Sequence, residues 1–193
     1  MTSILTLPNL LTFMRMALIP AFASMLFYGH YKLGLAFFVI AGITDGIDGF
    51  LARRFKQESE FGTIIDPIAD KLLMTTAFVI LSLPNVLPQT RHLPVPFWVT
   101  VTVIGRDILI LMVALAITVF TGFRSFKPSV LGKLSTLVQV AAVTLILFSA
   151  VTGYSFYLPT TYTIVTLLAF VSGVHYVFQV ARLMSDAEKD RLA

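Results

Sequence analysis

The chain has 193 residues, of which 57% are hydrophobic and 12% are charged, and its mean hydropathy is +0.88. A soluble domain carries about 25% charged residues, so the composition excludes an ordinary soluble protein. It indicates an integral membrane protein with one helical domain over residues 1–193. The absence of cysteine excludes disulfides and thiolate metal sites. The formal net charge of +4 is explained by membrane topology, so no nucleic-acid partner is expected.

Six apolar stretches are long enough to cross a bilayer as helices, which takes about 20 residues. The predicted helices cover residues 8–28, 33–54, 62–83, 96–120, 130–151 and 158–184. Pro8 suits the first position of the first helix, and Pro84 ends the third helix before a proline-rich loop. The sequence therefore predicts an all-α membrane protein with six transmembrane helices.

Basic residues are distributed unevenly between the two predicted sides of the membrane. Lys32 and Arg91 lie on one side. The other side carries Arg53, Arg54, Lys56, Arg124, Lys127, Lys133, Arg182, Lys189 and Arg191. The more basic side should face the cytoplasm or the mitochondrial matrix, with both termini there. The same charges favour contact with anionic membrane lipids.

Four aspartates interrupt the second and third helices, where each costs about 2.5–3.5 kcal/mol to insert. Asp45 and Asp48 are three residues apart, and Asp66 and Asp70 are four apart, so each pair shares one helix face. The short connection 55–61 should bring both pairs to the cytoplasmic end of the bundle. Clustered carboxylates are suitable ligands for two Mg²⁺ or Mn²⁺ ions. The pattern predicts an active site for phosphoryl chemistry at that end.

Small residues and one arginine accompany these acids. Gly49 and Gly62 allow a ligand to approach the backbone closely, and Ala52 leaves the same region uncrowded. Arg53 offers a planar guanidinium suited to phosphate oxygens. Together with the acids, these residues favour a diphosphate-binding site.

One spacing pattern resembles, at all eight positions, the signature of the CDP-alcohol phosphatidyltransferase family: Asp45-x2-Asp48-Gly49-x2-Ala52-Arg53-x8-Gly62-x3-Asp66-x3-Asp70. The resemblance extends to the six helices and to the opening Pro8-Asn9-Leu10-Leu11-Thr12 followed by Arg15. It implies a homodimeric enzyme of a bacterial or mitochondrial inner membrane. In such enzymes the hydroxyl of an acceptor alcohol attacks the phosphatidyl phosphorus of CDP-diacylglycerol, and CMP is released.

The resemblance also implies a role for each motif residue. Asp45, Asp48, Asp66 and Asp70 would hold two divalent cations, Mg²⁺ or Mn²⁺, and Asp70 would also be the general base. The residues that would shape the CDP site are Asp45, Gly49, Ala52, Arg53 and Gly62.

The acceptor alcohol is indicated by the fourth and fifth helices. Members that use glycerol 3-phosphate commonly carry Arg-Glu and a later Arg on the fourth helix, whereas this chain has Arg106-Asp107 and then Ala114. They also often carry Lys-x-Lys-Thr, where this chain reads Lys133-Leu134-Ser135-Thr136. The pattern favours phosphatidylglycerol, the acceptor in cardiolipin synthesis, and glycerol 3-phosphate is the alternative. The candidate ligands for the acceptor phosphate are Arg106, Lys133, Arg124 and Lys127.

Other interpretations of individual residues stay open at this point. Arg106 or Lys133 could instead pair with Asp107 or extend to the lipid headgroups. His175 and Tyr176 are more typical of packing or interface residues. Asn9, Thr12 and Arg15 are candidates for contact with the lipid substrate.

Two other classes of protein explain the sequence less completely than an enzyme does. A cation channel or transporter would explain intramembrane acids, but not Gly49, Ala52, Arg53 and Gly62 at fixed offsets. A membrane scaffold without catalysis explains neither set.

Overall fold

The computed structural model describes the backbone of residues 7–55, 60–121 and 130–192, and the side chains of residues 10–44, 65–118 and 130–182. Within these ranges the chain forms six α-helices and no β-strand. They are α1 (Leu7–Phe27), α2 (Tyr31–Phe55), α3 (Glu60–Ser82), α4 (Phe97–Thr121), α5 (Val130–Thr152) and α6 (Leu158–Leu192). The predicted all-α class is confirmed, and each of the first five helices begins and ends within two residues of its predicted bounds.

The sixth helix differs from the prediction at its carboxyl end. It continues to Leu192 rather than ending near Met184. The apolar run stops at Met184, but the following residues include alanine, glutamate, lysine and arginine, which are good helix formers. The predicted end was based on hydropathy, which identifies only the part of a helix that suits a membrane. The polar extension was therefore not predicted.

Four described helices are long and apolar enough to cross a membrane. The corresponding segments are Leu10–Phe27, Phe97–Thr118, Val130–Thr152 and Leu158–Arg182. In α2 a shorter apolar segment, Tyr31–Thr44, precedes the acidic motif. The four long segments support an integral membrane protein, while membrane crossing by α2 and α3 stays a prediction.

The chain packs as two compact units. The first contains Met1–Pro96 and Val143–Leu158, and the second contains Phe97–Ala142 and Pro159–Ala193. The first unit therefore holds α1 to α3 with the end of α5, and the second holds α4, the start of α5 and nearly all of α6. The assignment of one domain to residues 1–193 stays a prediction.

A tight turn joins α1 to α2 in the first unit. Gly29 has a φ of 74°, a left-handed conformation that glycine adopts without strain. The His30 N–H donates to the Met25 carbonyl at 2.8 Å, and the Gly29 N–H donates to the Leu26 carbonyl at 3.1 Å. This pair of hydrogen bonds is the Schellman cap, which satisfies the last carbonyls of α1 and ends the helix at this point.

Close packing between α1 and α2 follows from that turn. The rings of Phe22 and Phe38, both buried, lie 5.8 Å apart between centroids. Gly34 faces buried Leu26, and a Cβ at position 34 would lie 2.6 Å from Leu26 Cδ2. The lack of a side chain at Gly34 therefore lets the two helices approach each other.

The second unit has an apolar cluster between α4 and α6. Ile117 on α4 packs with Tyr176 and Val180 on α6, and Ile110 and Val113 flank them. The interpretation of Tyr176 as a packing residue is confirmed. This contact fixes which side of α6 faces α4.

Candidate functional site

One face of α1 changes from apolar to polar towards its amino end. Thr12, Arg15, Ile19, Phe22 and Leu26 are all buried, and their spacing of three and four residues places them on one side of the helix. Thr12 is 2% exposed and Arg15 is 1% exposed. The polar end of this face is therefore turned into the protein rather than towards lipid.

Thr12 contacts one of the predicted metal ligands directly. Its Oγ1 donates a hydrogen bond to Asp66 Oδ1 on α3 at 2.5 Å. This distance lies at the short end of the range for O–H···O hydrogen bonds, about 2.5–3.0 Å. Thr12 therefore anchors one carboxylate oxygen and so orients the other, and its contact with the lipid substrate stays a prediction.

Asp70 lies one turn beyond Asp66 on α3, about 6 Å along the helix axis. Both side chains are half-buried, and carboxylate oxygens are the ligands that Mg²⁺ and Mn²⁺ prefer. The pair thus fits two members of a divalent-cation site. The side chains of Asp45 and Asp48 lie outside the described residues, and no group of three potential metal ligands occurs among the side chains that are described. The convergence of all four aspartates stays a prediction.

The residues predicted to shape the CDP site all lie on helices. Asp45, Gly49, Ala52 and Arg53 belong to α2, which continues to Phe55, and Gly62 belongs to the first turn of α3. Their predicted helical location is confirmed. Their side chains lie outside the described residues, so their contacts with CDP stay a prediction.

Arg106 forms a buried polar cluster in the second unit. It is 8% exposed, and its Nη1 donates to Asp107 Oδ1 at 2.6 Å. Its Nη2 donates to Ser172 Oγ on α6 at 2.8 Å and, over a longer distance of 3.4 Å, to the Gly132 carbonyl on α5. One guanidinium thus connects three helices.

This cluster bears on the predicted role of Arg106. The structure shows Arg106 paired with Asp107, which was one of the alternatives left open by the sequence. Buried Asp107 offsets part of the positive charge, but the buried Arg106 Nε has no hydrogen-bond partner in the described part of the chain. That N–H leaves Arg106 capable of one more hydrogen bond.

The other predicted acceptor ligands are described in part. Lys133 on α5 is exposed, and it directly follows Gly132, whose carbonyl faces Arg106. Arg124 and Lys127 lie outside the described residues. Lys133 is therefore the sequence neighbour of a residue that contacts Arg106, while the role of all four residues in acceptor binding stays a prediction.

Among the side chains that the structure describes, four on α6 line a cavity that the sequence did not predict. The cavity has a volume of about 440 Å³, and the residues are His175, Phe178, Gln179 and Arg182. His175 is exposed, so it is not a packing residue within the described part of the chain, while the alternative interface role stays a prediction. The signal in the sequence is the spacing of the three long or ring-bearing polar side chains at positions 175, 179 and 182, which places them on one side of the helix.

Known proteins resemble the chain over most of its length. A family model described as CDP-alcohol phosphatidyltransferase matches residues 5–181. A probable cardiolipin synthase (CMP-forming) from Drosophila melanogaster is 32% identical, over 92% of this chain and 60% of the fly protein. A probable phosphatidylglycerophosphate synthase from Mycobacterium tuberculosis is 34% identical, over 93% of this chain and 83% of the bacterial protein.

A shorter match involves a fusion protein. It is the cardiolipin synthase (CMP-forming)/mitochondrial hydrolase fusion protein of Schizosaccharomyces pombe, 41% identical over 56% of this chain. The chain spans 60% of the fly relative's length and 17% of the fission-yeast relative's length.

Proposed function

Because the chain belongs to the CDP-alcohol phosphatidyltransferase family, we propose that it transfers the phosphatidyl group of CDP-diacylglycerol to an alcohol and releases CMP. The product is a phosphodiester lipid, and the pathway is phospholipid biosynthesis. The long apolar helices support catalysis at a membrane, where the lipid substrate resides.

The observation that carries this proposal is the anchored carboxylate pair on α3. Asp66 and Asp70 lie within the segment that matches the family, and Thr12 holds Asp66 in one orientation. Half-buried acids on membrane helices are costly, so they are rare and usually mark a functional site. A hydroxyl that orients a carboxylate is typical of metal sites, where supporting hydrogen bonds position the ligands.

The ligand set proposed for two divalent cations, Mg²⁺ or Mn²⁺, is Asp45, Asp48, Asp66 and Asp70. When bound, such ions would neutralise the diphosphate and stabilise the departing CMP. The residues proposed to contact CDP are Asp45, Gly49, Ala52, Arg53 and Gly62. The Arg53 guanidinium would bind phosphate oxygens, and the glycines would let the nucleotide approach the helices.

Asp70 is proposed as the general base. Its carboxylate takes the proton of the acceptor hydroxyl as that oxygen attacks the phosphatidyl phosphorus. A bond forms between the acceptor oxygen and phosphorus, the bond from phosphorus to the CMP oxygen breaks, and CMP leaves with the bonding electrons. The position of Asp70 one turn from Asp66 supports this role, because the base must act beside the cations.

The proposed acceptor is phosphatidylglycerol, whose transfer product is cardiolipin. The Arg106 cluster supports it, since Asp107 offsets part of the charge available to an acceptor phosphate. A phosphodiester carries one negative charge, whereas glycerol 3-phosphate carries nearly two at neutral pH. Arg106 Nε, Lys133, Arg124 and Lys127 are the proposed donors. Glycerol 3-phosphate stays the alternative, favoured by the similarity to the mycobacterial protein.

The setting of the reaction is part of the proposal. The uneven distribution of basic residues supports an active site and both termini on the cytoplasmic or matrix side of a bacterial or mitochondrial inner membrane. The proposed assembly is a homodimer, by resemblance to the family.

The test is an assay of CMP release by the purified protein with CDP-diacylglycerol and Mn²⁺ or Mg²⁺. Phosphatidylglycerol and glycerol 3-phosphate are offered separately and then together, with the lipid product identified by mass spectrometry. We expect metal-dependent CMP release, loss of activity with a chelator, and cardiolipin as the main product. Cation flux through proteoliposomes without CMP release would instead favour a transporter.

A further inference from the structure

The cavity on α6 lies on a different side of the helix from the contact with α4. Tyr176 and Val180 are buried against Ile117, whereas His175 and Arg182 are exposed. With about 100° of rotation per residue, the mean directions of these two sets differ by roughly a third of a turn. The cavity is therefore not a gap left by the α4–α6 packing.

The polar groups of the cavity define what could bind there. Gln179 Oε1 is buried and has no hydrogen-bond partner among the described residues. A buried carbonyl oxygen without a donor is unfavourable, so this position favours a ligand with a hydroxyl or another donor. Three residues further along, Arg182 offers a guanidinium that can bind two phosphate oxygens at once.

Phe178 and His175 add an apolar surface and a further hydrogen-bonding group to the cavity. Phe178 is 65% exposed and provides an apolar surface beside Arg182. His175 lies one turn before Gln179 and can donate or accept a hydrogen bond. The volume of about 440 Å³ falls within the range of small-ligand pockets, about 300–1,000 Å³.

The depth of the cavity in the membrane points to a lipid. The segment Leu158–Arg182 is long enough to span a bilayer. In the sequence the apolar run stops at Met184, before a strongly charged stretch, so Arg182 lies near its end, at the level of the headgroups. Counted back from Arg182 towards the membrane interior, Gln179 lies about 5 Å deeper and His175 about 10 Å deeper. A phospholipid presents its phosphate and headgroup hydroxyls at this level.

We infer that this cavity binds the phosphoglycerol headgroup of an anionic phospholipid. Arg182 binds the phosphodiester, and the Gln179 amide oxygen accepts a hydrogen bond from a headgroup hydroxyl. Phe178 packs against the apolar part of the lipid. Lipid binding in this cavity does not depend on catalytic activity. The further role of the cavity as the entry site for the acceptor rests on the proposed function.

The test measures lipid binding without CDP-diacylglycerol, so that its failure is distinct from failure of the transferase assay. Native mass spectrometry of the detergent-solubilised chain would be titrated with phosphatidylglycerol and with phosphatidylethanol. The second lipid has the same phosphodiester but no headgroup hydroxyl. We expect the wild type to bind phosphatidylglycerol about tenfold more tightly than phosphatidylethanol, because only the former satisfies Gln179.

Two variants separate the contributions of the side chains. Arg182→Gln should weaken the binding of both lipids by about tenfold. Gln179→Leu should weaken phosphatidylglycerol binding alone and remove the preference between the two lipids. Arg91→Gln is the matched control, since Arg91 is also an exposed cation but does not line the cavity. All three variants should unfold at the wild-type temperature.

Specific results would overturn the inference. Wild-type affinity in Arg182→Gln would exclude the phosphate contact, and equal affinity of the wild type for both lipids would exclude the hydroxyl contact. Displacement of the bound lipid by millimolar glycerol 3-phosphate would identify a soluble phosphate ligand instead. Loss of transferase activity in Arg182→Gln with unchanged lipid binding would likewise contradict the site.

Discussion

The Thr12 hydroxyl on α1 donates a hydrogen bond at 2.5 Å to Asp66 Oδ1 on α3, across 54 residues of sequence. Thr12 is buried, and Asp66 is half-buried. A residue outside the acidic motif therefore sets the orientation of a proposed metal ligand. This relationship makes Thr12 a positioning residue, which acts through Asp66.

Replacing Thr12 by valine should weaken metal binding while the fold persists. Valine keeps the shape of threonine but removes the donor, and loss of such a supporting hydrogen bond typically lowers metal affinity about 10–100-fold. The measurement is free Mn²⁺ by electron paramagnetic resonance during a titration. Thr12→Ser, which retains the hydroxyl, is the control and should bind nearly as the wild type does. Equal Mn²⁺ affinity in Thr12→Val and the wild type would rule out the positioning role.

Replacing Asp70 by asparagine should abolish turnover and leave the protein folded. Asparagine has nearly the same shape as aspartate but cannot accept the proton of the acceptor hydroxyl at neutral pH. The measurement is CMP release, with thermal unfolding followed in parallel. If the variant released CMP at the wild-type rate, Asp70 would not be the base.

Replacing Arg106 by methionine should destabilise the second unit. The change removes the guanidinium that faces buried Asp107 at 2.6 Å, and breaking a buried ion pair from one side costs about 3–5 kcal/mol. The measurement is the free energy of unfolding in detergent.

The double variant Arg106→Met with Asp107→Leu separates stability from function. It removes both charges, so it should recover most of the lost stability. If Arg106 also binds the acceptor phosphate, the double variant should still show a raised KM for the acceptor. Full recovery of that KM would restrict Arg106 to a structural role.

Replacing Gly34 by alanine should destabilise the α1–α2 contact by about 1–3 kcal/mol. The new Cβ would lie 2.6 Å from Leu26 Cδ2, so the buried leucine would have to move. Gly42→Ala is the matched control, because it lies on the same helix and a Cβ there would meet no atom within 4 Å. That control should be neutral or slightly stabilising, since alanine favours helix over glycine by about 1 kcal/mol. Melting temperatures of the two variants provide the comparison, and equal values would contradict the proposed close approach.

The sequence by itself determined the helices and the chemistry of the motif. Helix positions follow from local properties, namely apolar runs of membrane-spanning length and the proline and glycine residues between them, so they were predicted closely. The aspartate spacing on α2 and α3 is also local, and it indicated the family before any contact was known. The end of α6 was missed because helix formation continues beyond the residues that suit a membrane.

Only the tertiary structure decided which side chains meet. Thr12 binds Asp66 and Arg106 binds Ser172 across 54 and 66 residues of sequence, and neither pairing follows from the properties of its own helix. Such contacts depend on how the helices rotate and pack, which in turn depends on features such as the closeness that Gly34 permits. For the same reason the sequence made Thr12 only a candidate for contact with the lipid substrate and could not show that its hydroxyl binds Asp66, or that His175 lines a cavity.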